Sequence, residues 1–370
     1  MGRDMNSGRL EASFIKISQG GWHCMDNVVL TSIPDDSTAV AWNDCLDNSE
    51  FAGIYTAPDF FRVPYFRDRS PFAVLAVRDS VVHGVVTGFF ADQNMECGHS
   101  GSPQICVRTG SDLGTVGKAL ATGLKSVRHR STKFISAFAW NEVSGFRSAG
   151  FRIKRFEVPW GTIVLDLSRG TDVLFREFAE TRRGNIRRVI KAGVEVAEMN
   201  IDCDFDDYYA LYKHWCEFKG IAVHPYAIQR AVFESRANRL VLVARHSGRM
   251  IGVSTFLVRR PNLIEYASNV SRREETKLKQ NDLLMWRAIE WSSQQKDIRY
   301  FSMAAAHTFL QRFGGQQHAT YRYSLDLTAF RRRDLAEKGH GIALRIYHAL
   351  PQPAREKLKK WLNSDGQGTT

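Results

Sequence analysis

The chain has 370 residues, of which 44% are hydrophobic and 24% charged, as in ordinary globular proteins. Its apolar runs are too short for a membrane-spanning helix, which needs about 18 residues, and its first residues lack a secretory signal, so a cytoplasmic protein is expected. The formal net charge of +12 favours polyanionic partners such as phosphorylated substrates, RNA or an acidic membrane surface.

The first part of the chain predicts a mixture of strands and helices. Residues 1–70 indicate loops with short elements, and residues 73–90, "AVLAVRDSVVHGVVTGFF", predict a hairpin. A strand candidate, "ECGHSGSPQICVRTG", precedes a helix, "SDLGTVGKALATGLKSVRH", that Ser111 or Asp112 can cap. The apolar strand "KFISAFAW" follows, and "EVPWGTIVLDL" at 157–167 is expected to close this unit.

The second part repeats this order after three predicted helices. These helices lie near 171–192, at 205–220 with Asp204 as cap, and from Pro225 to about Arg236. The elements expected next are strands at 240–246, 249–259 and 262–270, the helix "NDLLMWRAIEWSSQQ" with Asn281 or Asp282 near its cap, the strand "IRYFSMAAA", a short helix, and the closing strand "ATYRYSLDL" at 319–327.

Three stretches recur at nearly one spacing. "KFISAFAW" begins at Lys133 and "RYFSMAAA" at Arg299, a shift of 166 residues, and the two hairpins align Arg78 with Arg245, a shift of 167. "GFRSAGF" and "FLQRFGG" follow the repeated strand in each part. Solenoid repeats are about 20–50 residues long, so this period indicates a duplicated domain.

The six cysteines form no C-x-x-C pair, which favours reduced thiols and no metal site. Each unit places antiparallel strands, a helix, a strand that joins beside them and a short helix in the same order. We therefore predict an α+β protein with two tandem domains, each a mixed, mostly antiparallel sheet flanked by helices. The expected limits are 1–170, 171–330 and a basic amphipathic tail, 331–370.

This order resembles the GNAT acyltransferase fold. The duplication, with the basic stretch "RRGNIRRVIKAGVEV" joining the units, resembles the FemAB-like peptidyltransferases and the BioF2-like acetyltransferases over about residues 70–330. The stretches that carry the resemblance are "EYASNV", "NDLLMWRAIEWSSQQ" and "FLQRFGG". Such proteins commonly have Phe-Lys-x-x-Phe-Gly in the last of these; Phe309, Phe313 and Gly314 match, and Leu310 replaces the Lys.

The resemblance implies a transferase that moves an acyl, acetyl or aminoacyl group to an amine or hydroxyl, with the site in the second unit. The acceptor would be an anionic small molecule or a cell-envelope or exopolysaccharide precursor. The donor would be an acyl-CoA or an aminoacyl-tRNA, with no permanently bound cofactor and no metal. The glycine-rich pyrophosphate loop of acyl-CoA enzymes is missing from both units: "GSDLGTVGK" has the wrong spacing and "RREETKLKQND" has no glycine. The alternative is a non-catalytic basic module that binds nucleic acid or anionic lipid, whose binding would weaken steeply with salt.

Candidate catalytic residues are His307, which could relay a proton, and Tyr266, at a strand position that the resemblance links to substrate. Either could instead be structural, His307 as a helix cap and Tyr266 in packing. Candidate substrate-binding residues are Tyr226, His224, Arg187 and Arg188, for which the alternatives are packing at a helix start and a solvated helical face.

Four basic residues just before the last long helix could hold a phosphate-rich donor by their side chains: Arg272, Arg273, Lys277 and Lys279. Glu274 and Glu275 offset part of this charge, and a solvated loop is the alternative. Between residues 331 and 360 there are nine basic and three acidic residues, interspersed with apolar ones. This tail is expected either to contact an anionic membrane at its inner face or to dock on the protein itself.

Overall fold

The computed structural model describes residues 15–17, 25–157, 160–234, 238–259, 261–272, 274–333 and 335, and it contains two mixed, mostly antiparallel sheets flanked by helices. The first sheet contains β1 (Ile15–Ile17), β2 (Asp26–Leu30), β3 (Phe72–Arg78), β4 (Val81–Ala91), β5 (Asn94–His99), β6 (Ser102–Pro103), β7 (Ile105–Val107), β8 (Phe134–Ala139), β9 (Arg152–Phe156) and β17 (Thr320–Asp326). The second contains β10 (Thr162–Asp166), β11 (Glu195–Glu198), β12 (Arg239–His246), β13 (Arg249–Arg259), β14 (Asn262–Ser271), β15 (Ile298–Ser302) and β16 (Gln316–His318).

The helices are α1 (Asp36–Asp47), α2 (Pro64–Arg67), α3 (Leu113–Val127), α4 (Gly145–Ser148), α5 (Thr171–Glu177), α6 (Glu180–Lys191), α7 (Ile201–Lys219), α8 (Tyr226–Glu234), α9 (Gln280–Ser293) and α10 (Thr308–Gln311). Asp112 caps α3, as one of the two predicted alternatives, and Gly220 ends α7 in the left-handed conformation with a φ of 65°. The predicted α+β class is confirmed.

Two helix predictions need correction. The single helix expected at 171–192 is two helices, because the backbone is extended at Phe178, whose ring packs on Phe313. Helix α7 starts at Ile201, earlier than predicted, because Asn200 rather than Asp204 provides the capping side chain. The prediction for α9 is confirmed: the helix follows Lys279, in the left-handed region, and Asp282 lies in its first turn.

The predicted repeat is confirmed by strand order. Strand β8 is parallel to β5, and β15 is parallel to β14; each is an interior strand of its sheet. The repeated elements β3, β4, β5, α3, β8 and α4 correspond to β12, β13, β14, α9, β15 and α10. "KFISAFAW" and "RYFSMAAA" therefore occupy equivalent strands.

The closing strands are exchanged, which corrects both expectations for them. Strand β10, expected to close the first unit, pairs antiparallel with β15 and β16 in the second sheet. Strand β17, expected to close the second unit, pairs antiparallel with β8 and β9 in the first sheet. Each sheet is therefore completed by a strand from the other half of the chain, and the limits at 170 and 171 do not describe which strand belongs to which sheet.

Each sheet buries two hydrophobic clusters. The first sheet packs on α3, with Leu120, Ile135 and Tyr323 at the centre of that cluster, and on α1 around Trp42. The second sheet packs on α6 and α9 around Phe256 and Phe301, and on α7 and α8 in a cluster that includes Phe205, Phe233 and Val241. Among the described helices none is both long and apolar enough to cross a membrane. The predicted tail lies outside the described residues except at 331–333 and 335.

Candidate active site

Strands β14 and β15 separate at one point in the second sheet. They pair in parallel from Asn262 to Glu265, and the last pair joins Glu265 to Ser302. Beyond it β14 continues to Ser271 alongside β13 alone, while the chain after Ser302 turns away toward α10. The divergence opens a cleft in the sheet, with Glu265 and Ser302 at its apex.

Hydrogen bonds fix the backbone at this apex. The Ser302 hydroxyl lies 3.1 Å from the Thr162 hydroxyl and accepts a hydrogen bond from the Ala304 N–H at 3.1 Å. The Met303 N–H donates to the Ile163 carbonyl at 2.8 Å. Because Thr162 and Ile163 belong to the exchanged strand β10, the strand exchange directly shapes the apex.

Glu265 is a buried carboxyl group without a charged partner among the described residues. Only 2% of the residue is exposed, and burial raises the pKa of Glu265 to about 7. The Ser102 hydroxyl and the Ile54 backbone lower this pKa in part, but neither carboxylate oxygen forms a hydrogen bond of normal geometry within the described part of the chain. Desolvation favours the protonated acid, so this group exchanges a proton near neutral pH.

The first half of the chain covers this carboxyl group. A Cβ atom on Gly53 would lie 2.7 Å from Oε2 of Glu265, so glycine permits the close approach of the backbone there. A Cβ on Gly101 would lie 2.0 Å from the Ala304 carbonyl oxygen, which shows how closely the loop around Ser102 packs on the cleft. The site is therefore formed by both halves of the chain.

A cavity of about 540 Å³ lies near this carboxyl group, with Ser102 but not Glu265 in its lining. We call it the junction cavity; its lining includes Tyr65, Arg69, Glu96, His99, Ser102, Gln104, His224 and Ile228. Ser102 belongs to the cavity wall and also neighbours Glu265, so it connects the two. The Oε1 atom of Gln104 and the Ser102 hydroxyl are buried without a normal hydrogen bond to any described residue. Burial lowers the pKa of His99, which favours its neutral imidazole.

Buried polar groups tie α6 to the start of α9. Arg182 forms an ion pair with Asp282 at 2.6 Å, and Asn185 donates to the other oxygen of Asp282 at 2.6 Å. The Arg182 guanidinium also lies 4.1 Å from the ring centroid of Phe309. The basic stretch that contains the candidate residues Arg187 and Arg188 therefore also includes one structural arginine, Arg182.

The two predicted catalytic residues lie on β14 and at the start of α10. The ring of Tyr266, on β14, has its centroid 5.7 Å from that of Phe256 and packs on the core between α6, α9 and the second sheet. Neighbouring residues of a strand face opposite sides of the sheet, so Tyr266 faces away from Glu265. Burial raises the pKa of Tyr266 to about 12. His307 is exposed at the N-cap of α10, makes no capping side-chain bond to a described residue, and has its pKa lowered by partial burial.

Two of the predicted acceptor-binding residues, His224 and Tyr226, have different surroundings. The His224 ring lies 5.1 Å from the Tyr65 ring in the wall of the junction cavity. The Tyr226 hydroxyl donates to Asp206 at 2.7 Å, which packs α8 on α7. His224 thus remains a candidate for acceptor binding, whereas Tyr226 has the packing role that sequence analysis gave as its alternative.

The other basic candidates lie near the surface. Arg187 and Arg188 are exposed on α6, and Lys277 and Lys279 are exposed before α9. Arg272 donates from Nε to the Met250 carbonyl at 3.0 Å, so it is partly engaged in the fold. Arg273 lies outside the described residues.

Sequence analysis missed Glu265 and Ser102. Glu265 is the single charge in "NLIEYASNV", a strand otherwise apolar or weakly polar, and that isolated acid was the available signal. Ser102 lies in a Gly/Ser-containing strand candidate with no distinguishing feature. Within the described chain no cluster of three or more His, Cys, Asp or Glu side chains could hold a metal ion.

Solved structures share this architecture. The chain aligns with FemX at a TM-score of 0.60 and 10% identity, covering 78% of this chain and 96% of FemX. It aligns with a tandem GNAT protein from the clavulanic acid biosynthesis pathway at 0.53 and 14%, covering 86% and 99%. L-PGS from Bacillus licheniformis aligns at 0.51 and 10%, covering 80% and 94%.

No protein-family profile matches the chain, and no curated protein sequence matches it. The structural likeness nevertheless extends over most of this chain and nearly all of each of those three proteins. The predicted fold, a FemAB-like tandem GNAT architecture, is confirmed.

Proposed function

We propose that this tandem GNAT-fold chain is an acyltransferase in which Glu265 takes the proton of an amine or hydroxyl acceptor. The observation that carries the proposal is the buried carboxyl group with a pKa of about 7, placed where β14 and β15 diverge and covered by the first sheet. General bases work best when their pKa lies near the working pH. A strongly perturbed acid beside a cavity is a physical reason to locate chemistry there.

The proposed reaction is transfer from an activated acyl donor. The acceptor nitrogen or oxygen attacks the acyl carbon, a C–N or C–O bond forms, and the bond to the donor's sulfur or ribose oxygen breaks. The acceptor proton passes to Glu265, and the leaving group departs with a proton. His307 could supply that second proton, because it lies at the end of the chain segment that leaves the cleft.

We assign the acceptor to the junction cavity. His99, Ser102 and Gln104 offer hydrogen-bonding groups there, and His224 extends the wall from the second half of the chain. The volume of about 540 Å³ lies within the range of about 300–1,000 Å³ usual for small-molecule sites. This favours a small molecule, or the head of a cell-envelope or exopolysaccharide precursor, as acceptor.

We assign the donor to the other end of the cleft, near the start of α9. Lys277 and Lys279 are exposed there, and the helix N-terminus favours an anion. The donor would be an acyl-CoA or an aminoacyl-tRNA, and an anionic membrane contact through the tail remains part of the proposal. No observation on the described residues favours the alternative of a non-catalytic basic module.

The test is a transfer assay with two labelled donors, acetyl-CoA and a charged aminoacyl-tRNA. Acceptors come from a panel of amines and hydroxyl compounds, guided by mass spectrometry of ligands that copurify with the protein. Glu265→Gln should lower the rate by about 10²- to 10⁴-fold while donor binding stays unchanged. Glu195→Gln, which changes an exposed acid on β11 outside the junction cavity, is the control and should change the rate far less.

Two results would count against the proposal. If Glu265→Gln transfers at the rate of the unmodified protein, Glu265 is not the proton acceptor. If neither donor binds or transfers with any acceptor in the panel, the acyltransferase proposal itself is wrong.

A further inference from the structure

The first sheet contains a pocket distinct from the junction cavity. It has a volume of about 230 Å³ and lies between β7, the end of β8 and the loop before α3; its lining includes Glu50, Phe51, Arg108, Thr109, Trp140 and Asn141. We call it the first-sheet pocket. By strand order it is the counterpart of the cleft in the second sheet, because β8 corresponds to β15 and α3 to α9.

The start of α3 offers little to an anion. The Asp112 carboxylate accepts hydrogen bonds from the N–H groups of Gly114 and Thr115 at 3.3 and 2.9 Å. The Thr109 N–H donates to the Asn48 carbonyl, and the Ser111 N–H donates to the Arg108 carbonyl. Four amides of this turn are therefore occupied, and the negative charge of Asp112 lies at the helix end, which disfavours a phosphate there.

The pocket instead has features that recognise a cation. The rings of Phe51 and Trp140 both line it and meet nearly edge to face, with centroids 5.2 Å apart and an interplanar angle of 86°. Glu50 is exposed and forms no ion pair with any described residue. Its carboxylate opposes the lowering of the His318 pKa that burial causes, so it faces this aromatic cluster. Aromatic faces beside a carboxylate attract ammonium groups.

A buried donor in the wall lacks a partner. Trp140 is 7% exposed, and its indole N–H has no hydrogen-bond partner among the described residues. An unmade hydrogen bond of a buried group is costly, and a ligand that supplies an acceptor removes that cost. The positive charge of Arg108 is balanced by Asp44 at 2.6 Å, so the wall does not repel a cation strongly.

We propose that the first-sheet pocket binds a compact polar molecule that carries an amine cation and a hydrogen-bond acceptor, such as an amino sugar. The amine lies against Glu50 and the rings of Phe51 and Trp140, and a small shift of the indole ring lets the buried Trp140 N–H donate to the ligand's acceptor. A pocket of about 230 Å³ is smaller than a drug-sized site, which restricts the ligand to a small molecule. Binding here does not depend on the transfer reaction proposed above.

The experiment uses the full chain without any donor, at pH 6.5, and measures binding by ligand-observed NMR and calorimetry. The probes are D-glucosamine, the matched neutral sugar D-glucose, and inorganic pyrophosphate. D-Glucosamine should bind at least about tenfold more tightly than D-glucose, and pyrophosphate should not compete. Glu50→Gln should weaken D-glucosamine by about tenfold, and Trp140→Phe by about three- to tenfold.

Two control variants, Glu195→Gln and Trp160→Phe, change an exposed acid on β11 and an exposed tryptophan and should bind D-glucosamine like the unmodified protein. Glu50 is itself exposed, so its variant should fold, which circular dichroism checks. The proposal is overturned if D-glucosamine does not bind, if D-glucose binds equally well, if pyrophosphate competes for the pocket, or if Glu50→Gln binds D-glucosamine unchanged.

Discussion

Glu96 and Glu265 occupy equivalent positions in the two sheets, each paired in parallel with a serine of the repeated strand. Glu96 pairs with Ser136, and Glu265 pairs with Ser302. Glu96 is half-buried in the wall of the junction cavity, whereas Glu265 lies under Gly53 with 2% of its surface exposed. The same position thus has a half-buried acid in one sheet and a fully desolvated acid in the other, and burial raises the pKa of the second, Glu265, to about 7.

The N-termini of the equivalent helices α3 and α9 also differ, in whether their amides are free to bind an anion. Asp112 caps α3 and occupies its amides, while α9 follows Lys279 without any capping side chain. An anionic donor is therefore favoured at α9 and disfavoured at α3. In the function proposed above, the second sheet provides the proton acceptor and the donor end of the cleft, and the first sheet provides a supporting wall and a different pocket.

The largest predicted effect is a loss of stability when a phenylalanine of either repeated strand, β8 or β15, is truncated. Phe301 is fully buried in the core between α6, α9 and the second sheet. Phe134 is 8% exposed, and the Arg333 guanidinium lies 4.6 Å from the centroid of its ring. Phe301→Ala should lower the free energy of unfolding by about 3–5 kcal/mol, and Phe134→Ala by less, because Ile135 is the core counterpart of Phe301. Urea unfolding of both variants measures this difference. Equal losses of unfolding free energy would show that Phe134 contributes as much to its core as Phe301 does.

A slightly smaller effect concerns the pH dependence of stability. Burial raises the pKa of Glu265 from an ordinary 4.5 to about 7, so the folded protein binds this proton more tightly than the unfolded chain between those values. Stability should therefore fall by about 3 kcal/mol as the pH rises from about 4.5 through 7, and then level off.

Glu265→Gln removes this titration. The variant should gain stability relative to the unmodified protein on going from pH 5 to pH 8, as measured by urea unfolding at each pH. Parallel curves for the unmodified protein and Glu265→Gln would mean that the carboxyl group is not desolvated.

A third prediction tests the difference between the helix starts. Asp112→Ala removes the acceptor for two amides of α3 and should cost about 1 kcal/mol of stability. Asp112→Asn keeps an acceptor and should cost much less. Thermal unfolding compares the two; an equal loss would indicate that charge rather than capping matters at this position.

Sequence periodicity was sufficient for the fold class and the repeat, because alternating strands and a capped helix are local features. The strand exchange could not be read in the same way. Strand β10, "TIVLD", and strand β17, "TYRYSLD", both satisfy the pattern of a closing strand, and neither sequence specifies which sheet it joins. That choice depends on contacts across more than a hundred residues, such as Leu165 opposite Phe301.

The candidate site was only partly predictable for the same reason. The sequence pattern predicted a cleft in the second unit and proposed His224, which the structure places in the wall of the junction cavity. The burial and raised pKa of Glu265, by contrast, depend on packing against Gly53 and Ser102, which are far away in sequence. Tyr226 shows the same limit, because its hydroxyl donates to Asp206 on α7, a contact that the local sequence does not specify.

The smallest predicted effect concerns the donor end of the cleft. Lys277 and Lys279 are exposed, so each should contribute only about 0.3–1 kcal/mol to binding of an anionic donor beside the α9 N-terminus. Lys277→Ala combined with Lys279→Ala should therefore raise the donor's Kd by about three- to thirtyfold, with the larger change at low salt. The matched control, Lys118→Ala with Lys213→Ala, removes two exposed lysines from α3 and α7 and should leave the Kd unchanged. Calorimetry with acetyl-CoA and filter binding with aminoacyl-tRNA measure these constants. Tight acetyl-CoA binding that survives the double change would move the donor away from these lysines, and the contrast between the two helix starts would then lose its functional meaning.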